Sequence, residues 1–204
     1  MSIDNDSSPL PRRRLSREAR YQQLIDTAWQ LIRDEGTEAL TLGRLAAQSG
    51  VTKPVVYDHF GTRSGLFAVL YQEFDARQNA LFDAALAKSE ATLSARAAVI
   101  AQSFVECVQL QGREIPGIIA ALIGSPELEQ IKRAYEVAFI EKCRGILSPF
   151  SEGGELTNAG LWAMLGAAES LSYAATRDEI TIRQAQDELF SVIMALVERS
   201  RRRL

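Results

Sequence analysis

Histidine occurs once and cysteine twice in 204 residues, and this scarcity removes several chemistries at the outset. A His-based catalytic triad would have to use His59, and a zinc site built from Cys and His is short of ligands. Cys107 and Cys143 are too few for a disulfide framework and read as two buried, reduced thiols. No run of about 18 apolar residues is present, so no membrane-spanning helix is expected. The polar start MSIDNDSSPLPRRR lacks the apolar segment of a secretory signal, which makes a cytoplasmic location the expectation. A phosphate-binding glycine loop is missing too: Gly153-Gly154 follows a polar loop rather than a strand pattern. No internal repeat or low-complexity segment is found. Carboxylates are numerous, but no spacing pairs two of them across a cleft. Accordingly no catalytic residue, metal ligand or cofactor is expected.

The hydrophobic fraction, 47%, is enough for a sizeable core in one or two domains. The stretch TLGRLAAQSGVTKPVVYDHF, Thr41 to Phe60, reads as two short helices across a tight turn. Thr41 is a good N-cap, and Leu42, Leu45 and Ala46 share one helical face. Gly50 suits the left-handed residue that ends a helix, and Val51 supplies a buried contact in the turn. Thr52 is placed to cap a second helix starting at Lys53, with Pro54 in its first turn, where a missing N–H costs nothing. Val56 and Phe60, four apart, point to a common core and leave an outward face. A helix–turn–helix lays such a second helix in the major groove of double-stranded DNA.

Charge is divided along the chain. The net charge is −3, yet residues 11 to 65 hold nine Lys or Arg against six Asp or Glu, whereas residues 66 to 198 hold ten against eighteen. An acidic body behind a basic end favours one docking orientation on phosphates.

An all-α fold follows from the remaining periodicity. Residues 1–15 are expected to be a disordered basic arm carrying Arg12, Arg13 and Arg14, either a solvated tail or an arm that reaches phosphates or a minor groove. Residues 16–62 form the helix–turn–helix domain, whose first helix runs from the Ser16 cap to about Glu35 with Leu24, Ile25, Ala28, Leu31 and Ile32 on its inner stripe. Residues 63–204 form a second helical domain. It opens with a long helix near Arg63 whose stripe includes Leu66, Phe67, Leu70, Phe74, Leu81 and Phe82. Helices follow from about Leu93 to Gln111, over Ile115 to Ile123, from Pro126 to Leu147, and, after the loop SPFSEGGEL, over Glu155 to Thr176 and Thr181 to Arg201. The small residues Gly160, Ala163, Gly166, Ala167, Ser170 and Ala174 permit close backbone approach, and Leu189, Ile193, Leu196 and Val197 make a stripe. These two helices suit either a four-helix homodimer interface or an intramolecular pair. The arginines from Arg199 to Arg203 read as a solvated helix end.

GVTKPVVYDHFGTRSGLF, preceded by TLGRLAAQS, resembles the recognition signature of the TetR family of transcriptional repressors, over about residues 16 to 67. The resemblance implies an N-terminal three-helix DNA-binding domain, a helical remainder that binds a small-molecule effector, and a homodimer on a palindromic operator. It implies that Thr41, Arg44, Tyr57 and Arg63 grip the DNA backbone. Family members often carry a small hydroxyl residue where this chain has Val55, and Gly or Ala where it has Pro54, so family hydrogen bonding does not carry over to those positions. Val55 is instead expected to touch a thymine methyl, with Thr52 and Lys53 reaching bases or phosphate. For His59, a backbone contact and a packed ring both remain open.

For the effector, Phe104, Cys107, Val108, Ile118, Phe139, Trp162, Glu169 and Tyr173 are the candidate lining of a largely apolar cavity, with simple core packing as the alternative for each. Glu106 and Glu169 are the acidic groups expected to orient a polar or cationic part of the ligand. The expected function is a non-enzymatic, ligand-responsive repressor. The alternatives are a helical small-molecule-binding protein without specific operator binding and, more remotely, an enzyme on the C-terminal helices.

Overall fold

Serine and threonine hydroxyls open most of the helices and so set the element boundaries. The computed structural model describes residues 15–202, and these contain nine α-helices and no strand. The basic arm expected before Leu15, and Arg203, lie outside the described residues. Helix α1 (Arg17–Glu35) begins where Ser16 Oγ accepts from the Ala19 N–H at 3.1 Å. Helix α2 (Leu42–Ser49) begins where Thr41 Oγ1 accepts from the Arg44 N–H at 3.0 Å. Then come α3 (Lys53–Phe60), α4 (Arg63–Lys88), α5 (Leu93–Glu114), α6 (Pro116–Leu122), α7 (Pro126–Leu147), α8 (Asn158–Thr176) and α9 (Ile182–Arg201). Thr92, Ser125, Thr157 and Thr181 cap α5, α7, α8 and α9 in the same way, each contributing about 1 kcal/mol. Thr157 is the reason α8 starts at Asn158 rather than near Glu155. Helix α5 continues past Gly112 because the stronger stop is Pro116, which disfavours helical backbone at Ile115.

The chain divides into two compact units between Thr62 and Arg63. In the first, Leu24, Ile25, Ala28 and Leu31 of α1 are buried with Leu42, Leu45 and Ala46 of α2 and Val56 and Phe60 of α3. The turn between α2 and α3 closes as the sequence suggests. Gly50 sits at φ +65°, the Val51 N–H donates to Ala46 O at 3.0 Å and the Gly50 N–H to Ala47 O at 3.3 Å, which satisfies the last carbonyls of α2.

In the second unit, α5, α8 and α9 pack on one another around Ile100, Val105, Leu161, Met164, Leu189, Ile193 and Val197, with α7 contributing Ile140, Cys143 and Leu147. Two expectations change here. Leu189, Ile193, Leu196 and Val197 are buried within the single chain, so this stripe of α9 is not available to a second subunit. Gly160 spends its small size on the same packing: a Cβ there would lie 2.5 Å from Leu196 Cδ1. Leu81 is 58% exposed. The buried face of α4 turns around the helix from Leu70 and Phe74 towards Phe82, and leaves Leu81 outside it.

The loop after α7 is clasped to the end of α9. Arg201 Nε donates to Phe150 O at 2.9 Å and pairs with Glu152 at 3.3 Å, so this arginine is engaged rather than solvated. Gly154 lies against the Ser200 carbonyl. No helix among the described residues is long and apolar enough to cross a membrane.

Candidate functional site

Helix α3 owes its outward face to the burial of just two side chains. Val56 and Phe60 are fixed in the core of the first unit, and the helical period then puts Lys53, Pro54, Tyr57 and Asp58 in solvent with Val55 half-buried beside them. Thr52 takes the backbone conformation of an N-cap, φ −80° and ψ 151°, but its hydroxyl makes no capping hydrogen bond, which differs from expectation. Pro54 in the first turn already removes one of the donors such a cap would satisfy. The Thr52 side chain is exposed at the leading end of the helix.

Lys53 lies across the start of α2. A Cβ on Gly43 would meet Lys53 Cε at 3.5 Å and lie 4.0 Å from Nζ, so the lysine stem crosses the first turn near the Thr41 hydroxyl. An ammonium and the free backbone donors of a helix N-terminus thereby share one edge, an arrangement suited to phosphate. Arg44 is held differently. Its guanidinium pairs with Glu35, with Nε to Oε2 at 3.3 Å, and donates to Gln48 Oε1 at 3.0 Å. The hydrogen bond and the charge of Glu35 both raise the Arg44 pKa. Before it reaches a phosphate, Arg44 must leave or share Glu35.

His59 is packed as well as placed. Its ring lies 5.8 Å from Tyr21 and 6.0 Å from Phe60, both tilted, while its outer edge joins Arg17, Val55 and Asp58 around a shallow recess. The recess puts an apolar side chain, Val55, and the acceptor-only Asp58, both of α3, beside the Arg17 guanidinium of α1. Arg63 belongs to the second unit, where its guanidinium lies 4.7 Å over the Phe67 ring.

The second unit contains a cavity of about 290 Å³ between α4, α5, α6, α7 and α8. Of the expected lining, Phe104, Cys107, Val108, Phe139, Glu169 and Tyr173 reach it. Ile118 does not: it is fully buried in core packing, and its neighbour Ile119 faces the cavity because one step along α6 turns the side chain by about 100°. Trp162 also lies outside the lining and stacks under the Arg133 guanidinium at 4.6 Å. Glu106 is exposed on α5 and takes no part.

Most of the lining that the sequence did not suggest comes from α4 and α7, with Ser103 and Gln111 of α5 and Leu165 of α8 beside it. Tyr71, Asp75, Gln78, Asn79 and Phe82 line the cavity from α4, and Lys132, Tyr135, Glu136 and Lys142 from α7. A signal was present. Gln78 stands four residues after Phe74 and four before Phe82, so a polar residue interrupts the inner stripe of α4. Asp75 follows Tyr71 by the same step.

The rings pair across the space, Tyr71 with Tyr135 stacked at 6.0 Å and Phe104 with Phe139 tilted at 5.0 Å. Burial raises Asp75 and Glu169 above the ordinary carboxylate range. Asp75 is relieved in part by Asn79 and Lys142, whereas Glu136 adds to the rise at Glu169 and Lys132 opposes it. The Tyr135 hydroxyl and the Cys107 thiol are each pushed up to about 12, chiefly by burial, so the thiol is no nucleophile at neutral pH.

Comparison with known proteins agrees with this geometry. Residues 24–75 match the family of bacterial regulatory proteins described as the tetR family. The chain is similar to the HTH-type transcriptional activator FasR of Mycolicibacterium smegmatis, 38% identical over 63 residues, which are 30% of this chain and 29% of that protein. Three solved structures share the fold. A TetR-like transcriptional regulator from Rhodococcus sp. RHA1 is 20% identical, with a TM-score of 0.57 over 89% of this chain and 97% of that one. The fatty acid degradation regulator FadR from Bacillus halodurans is 13% identical, with a TM-score of 0.62 over 85% and 94%. The multidrug binding protein EbrR, complexed with imidazole, is 15% identical, with a TM-score of 0.62 over 88% and 97%. The helix–turn–helix is thus matched in sequence by the tetR family of bacterial regulatory proteins over residues 24–75, and the whole helical architecture is matched in space by solved structures that include a TetR-like regulator.

Proposed function

We propose that the protein is a ligand-responsive repressor: a homodimer binds a palindromic operator and leaves it when a small, largely apolar molecule fills the cavity. The observation that carries this reading is the double placement of α4. It starts at Arg63, just past the Gly61-Thr62 break that ends the recognition helix, and it also supplies Tyr71, Asp75, Gln78, Asn79 and Phe82 to the cavity. A ligand that displaces α4 changes the spacing of the two recognition helices, which must match successive major grooves about 34–36 Å apart or a multiple of that. Linkage then requires operator DNA to weaken ligand binding by the factor by which ligand weakens DNA binding.

Selection of bound sequences from random duplex DNA tests the first half, with an enriched palindrome as the expected result. If none is enriched, the protein is a helical small-molecule binder without specific operator recognition. Reciprocal titration tests the second half: a ligand that binds equally well with and without saturating operator is not the inducer. FasR is named an activator, and the similarity to it is confined to 63 residues. The sign of regulation is therefore read from transcription in vitro on a promoter carrying the selected site, where added protein should lower transcript yield.

Two contacts on α3 and α2 have their own expected outcomes. Val55 has no donor and is half-buried at the recess, so it reads a thymine through its methyl group. Replacing that thymine by uracil should weaken wild-type binding and scarcely affect Val55→Ala; equal losses sink the contact. For Arg44, Glu35→Gln removes the competitor for the guanidinium. If Arg44 reaches phosphate, the substitution should raise operator affinity about two- to fivefold and Arg44→Ala should flatten the salt slope by about one unit. Unchanged slope in both variants means that Arg44 only ties α2 to the end of α1.

A further inference from the structure

The cavity is apolar in its rings but not neutral in its charges. Three carboxylates face it, those of Asp75, Glu136 and Glu169, against the ammonium groups of Lys132 and Lys142. Lys142 is already committed: it pairs with Asp83 at 2.8 Å, donates to Asn79 Oδ1 at 3.2 Å and lies over the Phe82 ring at 5.0 Å. Asp83 is not part of the lining, so the pair leaves the cavity with an excess of negative charge.

Asp75 is placed to use that excess. It lies one helical turn beyond Tyr71, whose ring stacks on Tyr135, and it is half-buried with Cys107 and Tyr173 among the other lining groups. Its Oδ2 accepts from Asn79 Nδ2 at 2.8 Å, while Oδ1 accepts no hydrogen bond among the described residues. A half-buried carboxylate with one oxygen free of protein partners, near two tyrosines that line the same cavity, meets both needs of an organic cation: a counter-charge and a ring wall.

Resting on the reading of this cavity as the effector site, we propose that its ligand is a cationic amphiphile, an apolar body bearing one ammonium or amidinium group. Asp75 supplies the counter-charge, and the paired rings of Tyr71 and Tyr135 take the cationic end. Phe104 and Phe139 take the apolar body. Glu169, on α8, faces the same cavity and strengthens the preference without carrying it alone. Burial already disfavours the charge on both carboxylates, so an arriving cation relieves a cost present in the empty protein.

The test uses three probes of one length and different charge, octylammonium, octanol and octanoate, titrated calorimetrically into the full chain at neutral pH. Octylammonium should bind about tenfold or more tightly than octanol, and octanoate more weakly than either. Asp75→Asn should bring octylammonium to within about threefold of octanol, and Glu169→Gln should reduce the advantage in part. Comparison of the probes on the unmodified protein keeps the test decisive even if a variant folds poorly. Equal binding of octanol and octylammonium overturns the proposal, as does tighter binding of octanoate, which would give the site to Lys132. So does an ammonium preference that survives both substitutions, or a failure of all three probes to bind. Operator release, measured beside binding, separates the two readings. Octylammonium that binds through Asp75 but leaves operator affinity unchanged upholds the charge assignment and removes the effector role. Release by octanol or octanoate with no binding of octylammonium does the reverse.

Discussion

Gly154→Ala should destabilise the second unit by about 3 kcal/mol, the largest effect expected of any single methyl group in this chain. A Cβ at this position would lie 2.1 Å from the Ser200 carbonyl oxygen and 2.6 Å from its carbon. The obstacle is backbone, which cannot rotate aside as a side chain does. Relief requires the loop to lift from α9, and that loop is held by the Arg201 bond to Phe150 O and by the Arg201–Glu152 pair. In thermal unfolding of the full chain, the transition of the second unit should fall by roughly 10 °C, while that of the first should stay in place. Gly145→Ala is the control, since a Cβ there meets nothing within 4 Å inside α7, and it should raise stability by about 0.5–1 kcal/mol. Unchanged melting for Gly154→Ala means that the loop and α9 are not in this register.

Gly166→Arg should abolish operator binding by splitting the proposed dimer. Ala163, Gly166, Ser170 and Tyr173 are exposed at steps of three and four along α8, and nothing lies within 4 Å of a Cβ added to Gly166. These residues therefore lie along one open face of the helix, where a second copy of α8 can approach closely. An arginine inserts a long charged side chain between the two backbones and has no partner there. Sedimentation should show a monomer at micromolar concentration. Operator affinity should fall about 100-fold or more, because the two half-sites are then bound independently rather than through one linked pair. A Gly166→Arg protein that still sediments as a dimer would move the interface away from this face of α8.

The helix–turn–helix was legible because its instructions are local. Thr41, Gly50 and Pro54 act within one turn of their own positions, and Val56 and Phe60 define an inner face by a step of four; all these signals lie within twenty consecutive residues. The one local misreading, the Thr52 cap, concerned a side-chain bond rather than the course of the chain. Further along, boundaries were legible at Ser125-Pro126 and Thr181, where a hydroxyl cap opens the helical pattern, but not at Thr157 or before Pro116, where a nearby Glu155 or Gly112 offered a competing start or stop. Burial was less legible on long helices. Leu81 has the spacing of a core residue but stands clear of its neighbours, and the apolar stripe of α9 is consumed inside the chain rather than offered to a second subunit.

The cavity belongs to a different order of information. Its walls come from α4, α5, α6, α7 and α8, with lining residues separated by up to about a hundred positions, and no sequence spacing encodes which side chains of distant helices meet. From the residues alone, the aromatic and soft side chains of α5 and α8 were recognisable as lining or core. Ile118 could not be told from Ile119, nor Trp162 from its neighbours, because the choice between them depends on a helix rotation that packing sets. Nothing in the spacing set Asp75 apart from the other acids of the chain; only tertiary burial near Tyr71 and Tyr135 makes it a charged group in a ring-lined space. Short-range backbone constraints thus wrote the helix–turn–helix into the sequence. The character of the cavity emerged only when long-range packing brought rings and carboxylates together and took them partly out of water.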